Sequence, residues 1–340
     1  MSEIRYDKIH NQHVLIAPER LYRPNIDFQK KKIVTNLKRC PFCEGNEHLT
    51  PAEVFAIRDN SANTQGWKTR VVPNLYKAVQ IELDGASRRN GIFEARDGLG
   101  AHEILIDSPK HSCGFESLGV AGIENWLRSI IIRVEDLQKD GRLIYVSVFK
   151  NVGERAGATQ EHPHTQILAL PMMPKNELVF LQRNADYYRL HGRGILEDVL
   201  HNELFFEKRI LTSVGDFVAF CPYASAFSFE VMIVPTQNLK HIFKCSRKQV
   251  NDFAILLEKV FSMLAQQLGV FDYNLAFSFA PLNSNFENEI FMPNINKNYR
   301  FSLRIIPRIY TLGGFELASG MFINCVSPEE SAKLLRGDKS

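Results

Sequence analysis

The sequence predicts an α+β fold in which one unit is used twice, with antiparallel strands and packed helices. Three observations carry that prediction. Both halves of the chain read strand, strand, helix, strand, strand. Short stretches of the two halves resemble each other, Glu103-Ile104-Leu105-Ile106 against Glu230-Val231-Met232-Ile233, and Ile167 to Pro171 against Leu303 to Pro307. Each half also holds one long segment whose apolar residues recur with the 3.6-residue period of a helix lying on a sheet. Two copies are too few for a solenoid, so their sheets are expected to join or to pack as a pseudo-dimer. The expected division is residues 1–174 for the first unit, 175–210 for a helical connector and 211–340 for the second unit.

Taken in order, residues 4–17 read as a strand pair around a turn at His10-Asn11-Gln12. Residues 27–39 are polar and Lys-rich and read as a link into the turn Cys40-Pro41-Phe42-Cys43. Trp67 to Tyr76 is β-prone and closed by Pro73-Asn74, and Ala101 to Asp107 is a further alternating strand. Ile123 to Asp140 carries Ile123, Trp126, Leu127, Ile130, Ile131, Val134 and Leu137 on one helical face, and Gly141 ends it. Strands at Leu143–Lys150 and His162–Pro171 complete the first half. In the second half, strands are expected at 213–222, 228–235, Asn274–Ala280 and Tyr299–Ile306, with an amphipathic helix over 246–268. Ser327-Pro328-Glu329-Glu330 has the pattern of a capping box with proline at the first helical position, so a short helix closes the chain.

Composition narrows the function classes. Hydrophobic content of 45% with 23% charge is that of a globular protein, and a net charge of +3 gives no argument for nucleic acid. No apolar run reaches the roughly 20 residues of a membrane span. Met1 to Asp7 lacks the apolar core of a signal peptide, so the cytoplasm is the expected location. The six cysteines do not form a disulfide framework at these spacings. Cys40 and Cys43 stand apart from the other four. A Cys-x-x-Cys turn presents two thiolates to a metal, or forms a redox pair where it opens a helix, and its knuckle-like setting favours the metal.

The chemistry concentrates in His162-Pro163-His164-Thr165-Gln166. In a strand, alternate side chains share a face, so His162, His164 and Gln166 are expected to enter one site. Such polar groups are costly in a core unless they bind something. Cys40, Cys43, His111 and His162 make a Cys₂His₂ set of the kind that closes a structural zinc site. His111 is included because it follows a strand end, and His48 reads as a surface histidine. His164 is then free to attack phosphorus and carry the transferred group as a phosphoramidate, with Gln166 giving a phosphate oxygen a neutral hydrogen bond. The loop Ala156-Gly157-Ala158-Thr159 offers backbone N–H groups and a hydroxyl to an anion. Arg20 and Arg23, three apart beside prolines, read on their own as a solvated loop, with a phosphate clamp as the alternative. No Walker loop or serine-elbow motif competes.

Cys40 to Cys43, Ser108-Pro109-Lys110-His111-Ser112, Asn151 to Gln166 and Gly313-Gly314-Phe315-Glu316 together resemble the galactose-1-phosphate uridylyltransferase family. That family belongs to the histidine-triad superfamily and includes the closely similar ADP-glucose phosphorylases. The resemblance implies two fused histidine-triad-like units and zinc at Cys40, Cys43, His111 and His162. It implies His164 as the nucleophile of a nucleotidyl-histidine intermediate, assisted by Gln166. Arg20, Arg23, Asn74, Asn151, Gly157 and Thr159 fall where the family's nucleotide and phosphate contacts lie, and Phe315 and Glu316 fall in its sugar-side segment. It also implies a homodimer, the C-terminal segment of one subunit reaching the other's site.

The resemblance has departures. Some members hold a second metal in the C-terminal copy, where this chain has Ser278, Ser302 and Arg304, which cannot bind one. Thr165 stands where many uridylyltransferases have glycine. Asn74-Leu75-Tyr76 and Gly313 to Glu316 look more like the phosphorylase branch. The leading expectation is a UDP-glucose–hexose-1-phosphate uridylyltransferase working by double displacement. The alternatives are an ADP-glucose phosphorylase, which passes an adenylyl group to phosphate, and a zinc-stabilised nucleotide-binding protein without turnover.

Overall fold

The computed structural model of the chain describes residues 2–22, 40–111, 114–284 and 294–338. An opening hairpin pairs β1 (Glu3–Asp7) with β2 (Gln12–Ile16), and a 3-10 turn over Pro18–Tyr22 follows. Arg23 and the expected link at 27–39 lie outside the described residues. Beyond the cysteine turn come β3 (Phe55–Arg58), β4 (Trp67–Pro73), the small hairpin of β5 (Ser87–Asn90) and β6 (Phe93–Arg96), and β7 (Ala101–Ile106). Helix α1 (Phe115–Leu137), β8 (Tyr145–Val152) and β9 (His164–Leu170) complete the first half. Helices α2 (Lys175–His191) and α3 (Ile195–Phe206) connect it to β10 (Ile210–Val214), β11 (Phe217–Phe220) and β12 (Val231–Pro235). Then follow α4 (Arg247–Leu268), β13 (Tyr273–Ser278), α5 (Ile295–Asn298), β14 (Ser302–Pro307), α6 (Gly314–Ser319), β15 (Phe322–Asn324) and α7 (Pro328–Arg336).

Ten strands form one antiparallel sheet in the order β10-β11-β12-β14-β13-β8-β9-β7-β4-β3. Outward from the middle the order repeats, β8-β9-β7-β4-β3 to one side and β13-β14-β12-β11-β10 to the other. The duplicated α+β unit is therefore real, and its two sheets fuse edge to edge. The seam pairs β8 with β13, Phe149 opposite Ala276 and Asn151 opposite Asn274. Fusion removes the two edge strands that separate copies would expose. A second sheet, β1-β2-β15, ties the N-terminus to the C-terminal segment.

Helices α1 and α4 cover one face. Trp126, Ile130 and Val134 of α1 and Phe253, Leu257 and Phe261 of α4 are buried in one core with the inward residues of both halves. Phe115 stacks on Phe261 and Phe217 on Phe253, each at 4.7 Å between ring centres. Burying such a ring contributes about 1.5–3 kcal/mol. On the opposite face the two halves differ. In the C-terminal half, Leu196 and Leu200 of α3 pack on Val218, Phe220, Met232 and Val234, and Leu181 of α2 packs near Tyr299. The same face of the N-terminal half instead carries Trp67, Val72, Ile104 and Ile106 with Phe42 of the cysteine turn, and beside them His164 and Gln166.

The structure moves several expected boundaries. α1 begins at Phe115 rather than near 123, with a break at Gly119 (φ 64°) that interrupts the helical period. The single strand expected at 213–222 is a hairpin, β10 and β11, turned at Gly215 (φ 53°), where a Cβ would lie 2.2 Å from Asp252 Oδ2. The strand expected from 228 begins at Val231. Among the described residues no helix is long and apolar enough to cross a membrane.

One buried ion pair crosses the strands beneath the site. Lys150 of β8 donates to Asp107, just past β7, and also to the carbonyl of His164 at 3.1 Å. Lys150 is 1% exposed, and so is Asp107. Thr165 Oγ1 donates to Asp107 Oδ1 (2.9 Å), and Trp126 Nε1 donates to Thr165 Oγ1 (2.8 Å), so the carboxylate is held from α1 as well. A buried pair survives only when both charges are also hydrogen-bonded, and removing one partner strands the other. Lys150→Met should therefore lower the unfolding free energy by about 3–5 kcal/mol, measured by urea titration. A loss below about 1 kcal/mol, the scale of an exposed pair, would contradict this.

Candidate active site and metal cluster

The cysteine turn is closed by Cys43 N–H donating to the Cys40 carbonyl at 3.3 Å, and Asn46 Nδ2 donates to the same carbonyl at 2.8 Å. Glu44 N–H reaches the Pro109 carbonyl at 3.4 Å, which brings in the segment carrying His111. One ligand atom each of Cys40, Cys43, His111 and His162 then lie within 4.8 Å of one another. His162 Nδ1 is 3.7 Å from Cys40 Sγ and 3.6 Å from Cys43 Sγ, and His111 Nδ1 is 3.3 Å from Cys43 Sγ. His162 Nε2–H donates to the Ser108 carbonyl at 2.8 Å. That bond fixes the proton on the far nitrogen and turns the Nδ1 lone pair toward the thiols, the orientation a metal ligand needs.

The electrostatics agree with a cation between these four groups. Burial brings the His162 pKa down to about 4, so its imidazole is neutral. Burial first, and then the neighbouring Cys40, push the Cys43 thiol up to about 11. Two thiolates side by side need a positive charge to offset them, and a bound metal supplies it. The residues fit a tetrahedral Cys₂His₂ centre in type, number and orientation. His48 is exposed in the 3-10 turn Glu47–Leu49 and outside the cluster, as its sequence setting indicated.

His162 is not part of the strand, contrary to the expectation that His162, His164 and Gln166 alternate along one ribbon. β9 begins at His164. Pro163 has no N–H for a ladder, while its carbonyl accepts Asp107 N–H at 3.2 Å, and the chain before it is drawn to the cysteines. The two histidines still face each other's business. His164 Nδ1–H donates to the His162 carbonyl at 2.9 Å, which leaves Nε2 with its lone pair and no hydrogen bond within the described residues. The ring is buried, with Phe42 at 5.4 Å and Ile106 opposite it in the ladder. Burial first, and then the charge of Lys150, lower its pKa, so the ring is held neutral.

Gln166 faces the same side as His164, and its Oε1 is 3.0 Å from Nε2 of His102 on β7. Asn74 Nδ2 is 3.1 Å from that nitrogen, and its Oδ1 accepts Tyr76 N–H at 2.9 Å. Asn151 accepts from Asn274 Nδ2 across the seam at 2.8 Å, and Asn274 also donates to the Ala156 carbonyl at 2.9 Å. The loop between β8 and β9 is pinned again at Gly153 (φ 86°), where a Cβ would lie 1.9 Å from Asp272 Oδ1, and at Arg155 N–H, which donates to Asp272 Oδ2. Gly157 follows in the left-handed region (φ 79°), and Gly157 and Thr159 are exposed.

The remaining expected residues lie apart. Arg20 is half-buried in the turn after β2, and α6 with Phe315 and Glu316 precedes β15 on the same small sheet. Glu316 accepts Gly313 N–H at 2.9 Å, and Phe315 is 45% exposed. None of the three touches His164 or Gln166 within the described contacts. In the C-terminal half, Arg304 pairs with Glu230 at 2.6 Å and Ser278 donates to Glu177 at 3.1 Å. Among the described residues the cluster of Cys40, Cys43, His111 and His162 is the one group of this kind placed so that it could hold a metal.

Sequence reasoning missed His102, Lys150, Asp107 and Phe42. His102 and Lys150 were legible as polar residues interrupting strands, but their partners are set by strand pairing over distances of 64 and 43 residues. Phe42 lies inside the cysteine turn, and only folding shows that its ring packs on His164.

The chain matches the family described as galactose-1-phosphate uridyl transferase, N-terminal domain, over residues 1–174. It is 30% identical to the ADP-glucose phosphorylase of Arabidopsis thaliana, over 98% of this chain and 92% of that protein. It is 24% identical to the galactose-1-phosphate uridylyltransferase of Thermotoga maritima, over 99% and 98%. Its fold superposes on the crystal structure of the Arabidopsis thaliana ADP-glucose phosphorylase with bound ADP-glucose at a TM-score of 0.83, with 29% identity over 100% of both chains. With the family domain spanning half the chain and a relative matching it end to end, the chain belongs to the galactose-1-phosphate uridylyltransferase family.

Proposed function

We propose that this chain is a nucleotidyltransferase that works by double displacement, with His164 as the nucleophile. The observation that carries the reading is the bond from His164 Nδ1–H to the His162 carbonyl, which presents Nε2 as a fixed, neutral nucleophile. Nε2 attacks the α-phosphorus of a nucleotide sugar. An N–P bond forms, the bond from phosphorus to the bridging oxygen breaks, and sugar 1-phosphate leaves. The nucleotidylated ring is cationic, and its remaining N–H, on Nδ1, keeps its hydrogen bond to the His162 carbonyl. An oxygen of the second phosphate then attacks phosphorus, the N–P bond breaks, and neutral His164 returns. Gln166 and the loop at Gly157 and Thr159 face the charge that builds on the non-bridging oxygens, with Arg20 and Arg23 as further cations. Asn74 and Asn151 are assigned to nucleotide contacts on the same reading.

UDP-glucose as donor and a hexose 1-phosphate as acceptor is the leading assignment, supported by the family and by the Thermotoga maritima relative's name. A second assignment, ADP-glucose as donor and phosphate as acceptor, has its own support. The relative that is 30% identical is named ADP-glucose phosphorylase, and its structure holds ADP-glucose. The exposed α6 with Phe315 and Glu316 suits a segment that completes a partner subunit's site, so a homodimer is part of the proposal, as is a cytoplasmic location. Cys40, Cys43, His111 and His162 would hold zinc. When bound, the ion would cross-link the cysteine turn to the start of β9 and so brace the His162 carbonyl and Phe42 against His164.

Intact-protein mass spectrometry after incubation with UDP-glucose, and separately with ADP-glucose, should show one nucleotidyl group per chain from the true donor. His164→Ala should abolish it with the fold unchanged by circular dichroism, and an adduct of normal yield on that variant would end the proposal. Elemental analysis should find about one zinc per chain. Zinc uptake by the stripped chain should release protons and tighten as pH rises, because the Cys43 thiol sits near 11 without a metal. Uptake independent of pH would argue against thiolate ligation.

A further inference from the structure

The amide of Gln166 has two ends, and only one suits a phosphate. Its NH₂ can donate to a phosphoryl oxygen, whereas its carbonyl oxygen would repel one. A half-turn about the terminal torsion exchanges the two ends, and nothing in the residue itself selects between them. In this structure the choice is made by a neighbour.

His102 lies on β7 diagonally across the ladder from Gln166, since Ile104 pairs with Gln166 and His102 with Leu168. Its Nε2 is 3.0 Å from Gln166 Oε1, and its Nδ1 is 3.1 Å from Ala78 N. A backbone N–H only donates. Nδ1 must therefore carry the lone pair, and the ring proton sits on Nε2. That N–H donates to Gln166 Oε1. Asn74 Oδ1 accepts Tyr76 N–H, so Asn74 turns its NH₂ toward the same ring nitrogen at 3.1 Å, a donor facing a donor that makes no hydrogen bond and leaves Gln166 Oε1 as the acceptor of the ring proton. The opposite orientation of the Gln166 amide would set a second NH₂ against that N–H, beside the one Asn74 already turns to it. Asn74 N–H also donates to the His102 carbonyl at 2.8 Å, which holds the segment in place. The amide nitrogen of Gln166 is left without a hydrogen bond within the described residues.

We infer that His102 is a positioning residue for the transfer. It locks Gln166 with its carbonyl turned away and its NH₂ turned to the phosphoryl group, so that a backbone N–H at Ala78 sets the polarity of the site through an imidazole. The inference rests on the reading of His164 as the nucleophile. Gln166 touches the reacting group, and His102 acts only through Gln166.

A double-mutant cycle tests this with the donor that forms the adduct, comparing the wild type, His102→Leu, Gln166→Leu and the double variant. His102→Leu should lower kcat about 10- to 100-fold, up to the lower end of the roughly 100- to 1000-fold cost of removing a transition-state donor because the donor is misaimed and not removed, and leave KM within about twofold. In the Gln166→Leu background the same change should lower kcat by less than about twofold, because its route of action is already gone. A structural role would cost the same in both backgrounds and would overturn the inference, as would a raised KM with kcat unchanged. His102→Gln, which restores a donor, should recover part of the rate. ¹⁵N NMR of the histidine rings decides the geometry independently of turnover. His102 should show Nδ1 unprotonated and Nε2 protonated, and the reverse tautomer would overturn the inference. Absence of any adduct on the wild-type chain would instead count against His164 as nucleophile, while the ring tautomer still judges His102.

Discussion

The site depends on a single backbone oxygen. The His162 carbonyl accepts His164 Nδ1–H at 2.9 Å, and that bond decides which nitrogen of the imidazole is a base. A carbonyl can make this choice only if it is itself fixed. His162 is fixed by its Nε2–H to the Ser108 carbonyl and by the two thiols its Nδ1 faces. Pro163 is held by Asp107 N–H on its carbonyl, and the His164 carbonyl by Lys150. The Cys₂His₂ cluster and the buried ion pair therefore brace the same three residues from opposite faces of the sheet. Two parts of the structure meet in His162, whose side chain joins the Cys₂His₂ cluster while its main chain orients the His164 ring.

The fused sheet explains why one face of one half is used. The two five-stranded halves are built alike, with α1 and α4 sharing a core on one side. On the other side α2 and α3 bury the C-terminal half under Leu181, Leu196 and Leu200, and Arg304 pairs with Glu230 at 2.6 Å. The N-terminal half keeps the matching face for the cysteine turn and the histidines. The C-terminal half still contributes, because Asp272 and Asn274 pin the loop that precedes β9 across the seam. Duplication thus leaves one copy with the cysteine–histidine cluster and a second whose residues pin the loop beside it.

Much of this was legible in the sequence because it is local. The helical periods at 123–140 and 246–268, the strand alternation, and the Cys-x-x-Cys turn are each set by residues near one another in sequence. The repeat between Glu103–Ile106 and Glu230–Ile233 identified β7 and β12 as equivalent strands. The grouping of Cys40, Cys43, His111 and His162 was legible too, His111 through its place after a strand end. What the sequence hid was set by pairing between strands. His102 looks like an ordinary strand residue until β7 lies beside β9, and Lys150 like a charge at a strand's end until it meets Asp107. The alternation rule placed His162 in the strand, and proline and the pull of the cysteines moved it out. The 213–222 stretch looked continuous because Gly215 alone marks the turn, and one glycine within an apolar run is a weak signal.

The central claim is that a backbone acceptor at His162 selects Nε2 of His164 as the nitrogen that takes up the nucleotide. ¹⁵N–³¹P NMR of the trapped intermediate, with the histidine rings isotopically labelled, reads that bond directly. The account predicts one-bond phosphorus coupling to His164 Nε2, with Nδ1 still protonated. Coupling to Nδ1, or to a nitrogen of any other histidine, would contradict it.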